Sequence, residues 1–97
     1  MPDPIAVIIR FSGEADELLE RFERARQMWA ESVGDDYERP VFYAACRTDD
    51  GIAIVTGWQS APAHRVFGQR LHPHIDAVGL SPPDRIERMR IDKLGWD

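Results

Sequence analysis

The sequence predicts a single α+β domain with the element order β-α-β-β-α-β. A short β-branched run near the start, "IAVIIRF", has the composition of a buried strand. Two apolar runs joined by "DDG" indicate a hairpin, because Asp-Gly between such runs favours a tight turn. One segment before this hairpin and one after it repeat apolar residues every three or four positions, which predicts two amphipathic helices.

The first half of the chain predicts a strand, a long helix and a loop. The strand covers Ile5–Phe11, and Ser12 behind it is a suitable helix cap, followed by acids that suit the positive helix end. Gly34 is a suitable stop for the helix, and residues 35–40 read as a loop. The apolar stripe of this helix recurs at spacings of four, three and four residues: Leu18, Phe22, Ala25 and Trp29.

The middle of the chain predicts the hairpin. Val41–Thr48 and Ile52–Trp58 are apolar runs of strand length, and Asp49–Gly51 lies between them as the turn. The second run returns beside the first, so the two form an antiparallel pair.

A second helix and a last strand close the domain. Ser60 is placed to cap the helix, Pro62 stands in its first turn, where a missing N–H costs nothing, and Gly79 ends it. Pro73 predicts a kink, since it removes a helical hydrogen bond. The remaining run, Arg85–Leu94, alternates apolar and polar residues as a strand does.

This order is typical of the ferredoxin-like fold, a four-stranded antiparallel sheet with both helices on one face. The other face would be bare, and we expect it to carry large apolar groups: Tyr43 or Phe42, Ile54 and Trp58. Because exposed apolar faces of that kind mark partner surfaces, we expect a homodimer that closes sheet to sheet, with a cavity in or beside it.

Composition narrows the function classes. The 97 residues form one domain, 1–97, with a net charge of −5 that disfavours nucleic-acid binding through phosphates. No apolar run approaches the roughly 18 residues of a membrane span. Cys46 is the only cysteine, which excludes an internal disulfide and a paired-cysteine metal site. The start lacks the basic region of a signal peptide, so we expect a cytoplasmic protein.

Two segments resemble a known family. "VTGWQSAPAH" (Val55–His64) and "RLHPHIDAVG" (Arg70–Gly79) resemble the third strand and second helix of the dimeric α+β barrel proteins, and within them of the antibiotic biosynthesis monooxygenase-like family. The resemblance covers nearly the whole chain and puts Trp58, His64, Pro73 and His74 at family-like positions.

The resemblance implies a homodimer and an oxygenase of an aromatic or quinol-like metabolite that needs no cofactor, because the deprotonated substrate supplies its own electrons. Other members degrade haem. The chain departs from the family in one respect: it contains no asparagine, whereas studied oxygenases and haem degraders of the family use one in the cavity, so that role would fall to another residue.

Two histidines are candidate catalytic residues. On a helix of 100° per residue, His74 falls on the apolar stripe of the second helix and His64 at its edge, while His72 points to solvent. Imidazole titrates near neutrality, so either of the first two suits a general base for an acidic phenol. The alternative is that both simply cap or pack between helix and sheet. No metal ligand set is evident, because His-Pro-His side chains diverge.

Four further residues are candidates for substrate binding. Trp58 ends a strand where the family's cavity opens, so it is either a pocket wall or filling of the core or dimer interface. Tyr43 is either a hydrogen-bonding group or a barrel-facing aromatic. Inward-pointing Arg10 or Arg90 would bind an anion or stabilise a phenolate, and the alternative is pairing with acids at strand edges. Trp96 is expected to dock on the partner subunit.

Three functions remain open at this level. The first is a cofactor-independent monooxygenase with a small apolar or aromatic substrate. The second is a non-catalytic ligand-binding or assembly module. The third is haem binding or degradation, which needs one axial histidine, either His74 or His64.

Overall fold

A computed structural model describes residues 3–34 and 38–95. The four strands form one antiparallel sheet in the order β2-β3-β1-β4, so the predicted ferredoxin-like order is confirmed. The elements are β1 (Ile5–Ser12), α1 (Ala15–Val33), β2 (Phe42–Thr48), β3 (Gly51–Trp58), α2 (Ala61–Ala77) and β4 (Arg85–Arg90). The predicted loop lies partly, and Trp96 wholly, outside the described residues.

The helix ends follow local chemistry. The prediction of Ser12 as a cap was wrong, because β1 continues through Ser12, which pairs with Gly51. Glu14 caps α1 instead, and its carboxylate accepts the backbone N–H groups of Asp16 and Glu17. The predicted cap of α2 is confirmed, since the Ser60 hydroxyl accepts the N–H of Ala63 at 3.3 Å.

Less of the chain after α2 forms regular structure than the sequence predicted. The helix continues through Pro73 to Ala77, and Gly79 then turns the chain with a φ of 77°. The last strand ends at Arg90 rather than Leu94. Ile91 still donates its N–H to the carbonyl of Pro4 at 2.9 Å, and beyond it the chain leaves the sheet.

The helices cover one face of the sheet and form the core there. Trp58, Ile54 and Val7 lie on this face and are almost completely buried. The buried cluster between sheet and helices contains residues of β1, α1, β3 and α2 and one residue of the loop after α2. Its members are Phe11, Phe22, Ala25, Trp29, Ile52, Ile54, Leu71, Ile75 and Leu80. No helix formed by the described residues is long and apolar enough to cross a membrane.

The opposite face is bare, but its residues differ from those predicted. Trp58, Ile54 and Tyr43 alternate onto the helix-covered face, so their assignment to the bare face was wrong, and Phe42 is there instead. Successive side chains of a strand point to opposite faces of the sheet. An assignment that is wrong by one residue therefore places every side chain of the strand on the wrong face. The other apolar residues of the bare face include Ala6, Ile8, Ala44, Val55 and Met89.

Candidate functional site

An apolar cleft opens between α2 and the exposed edge of the sheet. We call it the α2–β4 cleft; its volume is about 210 Å³. It lies beside the edge strand β4, which is exposed along most of its length, and the loop carrying Pro82 and Pro83 lines it as well. Its apolar walls include Ile9, Phe11, Phe67, Leu71, Ile75 and Ile86, and its polar groups are His64, His72, Asp76 and Arg88. A mostly apolar cleft with a few polar groups is the usual form of a small-molecule site.

His64 is the buried titratable group of this cleft. It lies one turn into α2, is only 8% exposed, and its ring centroid is 5.7 Å from that of Trp58. Burial lowers the pKa of His64, and the positive charge of Arg88 lowers it further. No described residue hydrogen-bonds its ring. At neutral pH it is therefore an uncharged imidazole that can accept a proton from a bound molecule.

Trp58 packs against the His64 ring. It has no exposed surface, and its indole N–H donates to the Thr56 hydroxyl at 2.8 Å. Phe67 packs on its ring with centroids 4.8 Å apart, and Trp29 packs edge-on against Phe67 at 4.9 Å. Trp58 thus fixes the positions of His64 and Phe67 rather than forming the exposed wall of the cleft.

Arg88 lies at the mouth of the cleft and is not among the residues predicted from the sequence. It lies on β4 opposite Val7, on the helix-covered face. Within the part of the chain that the structure describes, it forms no ion pair with a carboxylate. Its position two residues after Ile86, on the same face of the strand, is the signal that would have found it.

A second cleft begins where the first one ends. It has a volume of about 470 Å³ and shares His64, Gly68 and Arg88 with the α2–β4 cleft. Its other lining residues are Ile5, Ala61, Arg65 and Gln69. We call it the arginine cleft, because Arg65 and Arg88 supply its charge.

Tyr43 lies in a different cleft, on the other side of Phe67. That cleft has a volume of about 250 Å³ and is bordered by Arg26, Trp29 and Thr56 among others. Burial and the negative charge of Glu23 raise the pKa of Tyr43, although the Arg26 guanidinium, 5.9 Å from the ring centroid, acts in the opposite direction. Tyr43 is therefore a hydroxyl donor at neutral pH, but it does not share a cleft with His64.

The other two histidines have different surroundings. His74 is half-buried, and its Nε2 lies 3.4 Å from the hydroxyl of Ser32, which also donates to the carbonyl of Trp29. It lines none of the three clefts described above. His72 is exposed at the rim of the α2–β4 cleft, and its Nδ1 is 3.5 Å from the Asp76 carboxylate.

The two arginines selected from the sequence lie outside these clefts. Arg10 is on the bare face and donates to Glu87 at 3.0 Å, a hydrogen bond that lowers the pKa of the Glu87 carboxyl. Arg90 is exposed and lies 3.6 Å from Asp3. Within residues 3–34 and 38–95, no group of three or more His, Cys, Asp or Glu residues is placed to hold a metal ion.

Comparison with known proteins identifies the fold. No family model matches the sequence, and no curated protein matches it significantly. SnoaB from Streptomyces nogalater, described as a cofactor-independent oxygenase, is similar in structure: it is 18% identical, the match covers 95% of this chain and 96% of SnoaB, and the TM-score is 0.67.

Two further solved structures are similar over nearly their whole length. A protein of unknown function from Bacteroides thetaiotaomicron, described as a possible oxidoreductase, is 13% identical over 94% of this chain and 100% of its own, with a TM-score of 0.65. A candidate antibiotic biosynthesis monooxygenase from Caulobacter crescentus is 15% identical over 97% and 92%, with a TM-score of 0.58. The chain therefore has the fold of the antibiotic biosynthesis monooxygenase-like structures, as the sequence resemblance implied.

Proposed function

We propose that this protein is a cofactor-independent monooxygenase that oxidises a small aromatic or quinol-like metabolite in the α2–β4 cleft. The observation that carries the proposal is His64, a buried imidazole with a lowered pKa and no hydrogen-bond partner among the described residues, at the border of an apolar cleft. Titratable groups with shifted pKa values in clefts mark functional sites.

The chemistry follows from this arrangement. His64 takes the acidic proton of a hydroxyarene, and Arg88 at the mouth stabilises the resulting oxyanion. The electron-rich anion then reacts with O₂ against the apolar walls of the cleft. In the balanced reaction a ring CH₂ of the keto tautomer becomes C=O: one oxygen atom of O₂ becomes the carbonyl oxygen on that carbon, and the substrate supplies all four electrons. The other oxygen atom leaves as water with the two hydrogens of the CH₂ group, including the proton that His64 has taken up.

The comparisons support this class of reaction without naming the substrate. SnoaB is described as a cofactor-independent oxygenase, and the Caulobacter protein as a candidate monooxygenase. Since this chain has no asparagine, the proposal assigns proton transfer and anion stabilisation to His64 and Arg88 instead.

The proposal predicts a specific loss of activity in His64→Gln. Purified protein is incubated with quinols of one to three fused rings, and O₂ uptake and quinone absorbance are recorded. We expect kcat/KM to fall at least ~100-fold, the usual contribution of a general base. His74→Gln is the matched control, because His74 is on the same helix but faces Ser32.

Two results would contradict the proposal. One is an unchanged rate in His64→Gln. The other is ligand binding, seen as a raised melting temperature, with no O₂ uptake for any member of the panel; that result would favour the non-catalytic binding module.

We also propose that the protein is a homodimer closed through the bare face of the sheet. The support is the apolar character of that face, where Ile8, Phe42, Val55 and Met89 lie together. An exposed face of this composition is stabilised by a second copy of the chain.

A further inference from the structure

The α2–β4 cleft and the arginine cleft meet at three residues. His64 and Gly68 border both from α2, and Arg88 borders both from β4. Together the two clefts form one groove along α2, apolar at the end near Pro82 and polar at the end near Arg65. The shared residues are the waist of this groove.

Gly68 is unexplained by the packing of the chain itself. It lies in the interior of α2, where glycine is the least favourable residue after proline. A Cβ built at this position would meet no atom within 4 Å. The fold therefore does not need a glycine here, and because Gly68 borders both clefts, a large side chain at this position would project into the waist.

The polar end of the groove carries uncompensated positive charge. Arg65 and Arg88 line the arginine cleft, and no carboxylate belongs to its described lining. Neither arginine forms an ion pair with another described residue. On a chain with a net charge of −5, such a local excess of guanidinium groups favours binding of an anion.

The size of the apolar end limits what fits there. Its volume is about 210 Å³, compared with roughly 150 Å³ for a buried apolar cavity that holds benzene. A body of one or two fused rings suits this space.

We propose that the substrate is an amphipathic acid: a one- or two-ring aromatic body in the α2–β4 cleft, with a short chain that crosses Gly68 and ends in an anionic group held by Arg65 and Arg88. Arg88 borders both clefts, so it shares its N–H donors between this group and the aromatic oxyanion. The inference rests on the proposed function for its aromatic end and adds the class of tail. A carboxylate and a phosphate both satisfy two guanidinium groups, so the experiment compares them.

The charge is tested with inert probes by isothermal titration calorimetry. The probes are 4-(1-naphthyl)butanoate, its primary amide, and 3-(1-naphthyl)propyl phosphate. We expect the two anions to bind at least ~10-fold tighter than the amide, about 1.4 kcal/mol, with the tighter anion identifying the tail. Arg88→Gln and Arg65→Gln should abolish the difference, whereas Arg90→Gln, on the same strand but outside both clefts, should keep it.

The waist is tested with Gly68→Leu. We expect the tailed anions to lose at least ~10-fold in affinity while naphthalene itself still binds, because only the tail has to cross the waist. Ala77→Leu is the matched control, since it adds similar bulk to an exposed position of α2 outside the groove. Melting temperatures confirm that both variants are folded.

The outcomes separate this inference from the proposed function. Equal affinity of acid and amide, unchanged binding to Gly68→Leu, or no binding of any probe would overturn the amphipathic ligand. If the anions bind as expected but no acid-tailed quinol consumes O₂, the groove inference stands and the oxygenase proposal fails. If tailless quinols are oxidised with the same kcat/KM as acid-tailed ones, the inference alone fails.

Discussion

His64 differs from the other two histidines in what surrounds its ring. Aromatic rings lie on one side and a guanidinium group at the cleft mouth, whereas His72 is near a carboxylate and His74 near a hydroxyl. The environment of His64 penalises the charged imidazolium without offering a compensating acceptor. A residue with this environment responds to pH through stability as well as through activity.

The lowered pKa of His64 predicts a pH-dependent stability. In the unfolded chain this group titrates near 6.5, so below that pH the unfolded state binds more protons than the folded state. Stability is therefore unaffected by His64 above pH 6.5 and falls as the pH drops from 6.5 towards the folded pKa. Urea denaturation between pH 5 and 8 should show a steeper acid loss in wild type than in His64→Gln; equal slopes would refute it.

At the scale of elements, the glycines of the sheet and of α2 have opposite roles. A Cβ on Gly51 would collide with the backbone carbonyl of Phe11 across the β1–β3 pair, and a Cβ on Gly57 would overlap the Phe42 ring that covers it. These two positions need glycine for close approach. Gly68 has open space instead.

The contrast predicts stability changes of opposite sign. Gly51→Ala should lower the free energy of unfolding by about 2 kcal/mol or more, because the clash is with backbone and cannot be relieved by a rotamer change. Gly68→Ala should raise it by roughly 0.5–1 kcal/mol through helix propensity. Chemical denaturation of the two variants measures both. A loss of stability in Gly68→Ala would contradict the open space beside this position.

Most of the helices and strands could be predicted from the sequence, because the hydrophobic period, the helix caps and the turns each depend on residues that are close together in the chain. The "DDG" turn and the Ser60 cap act over three or four residues, and both are found as predicted. The choice of sheet face is not local, since Ile54 and Trp58 are as apolar as a bare-face residue would be. It depends on which side the helices pack.

The residues of the candidate site also differ in whether local sequence or long-range pairing places them. His64 lies close to Trp58 in the sequence, so their closeness in space is a local matter. Arg88 comes from a strand that joins β1 through long-range pairing. The alternation in "RIERMR" offered three arginines without saying which one faces α2, and the strand was predicted four residues too long. The missed residue is therefore the one placed by tertiary structure.

At the scale of the whole molecule, the bare face is an apolar surface that a single chain leaves exposed to solvent. Val55 lies near its centre, in register with Ile8 on one side and Ala44 on the other. At one end the face carries the ion pair of Arg10 with Glu87. Charged groups at the margin of an apolar patch favour one register of association over others.

The homodimer proposal predicts a dimer that one charge on this face disrupts. Sedimentation equilibrium should give twice the chain mass for wild type and the monomer mass for Val55→Arg, because a buried unpaired guanidinium costs several kcal/mol. Gln27→Arg adds the same charge to the exposed side of α1 and should remain dimeric. A monomeric wild type at micromolar concentration would exclude this mode of association.

The contact of His64 with the indole of Trp58 gives the protein an intrinsic optical probe. The excited state of an indole passes an electron to a neighbouring imidazolium far more readily than to a neutral imidazole, so emission from Trp58 registers the charge on His64. We expect a molecule that occupies the groove and hydrogen-bonds that imidazole to alter the same emission. Fluorescence can thus follow occupancy of the groove in unlabelled protein, before any product is formed.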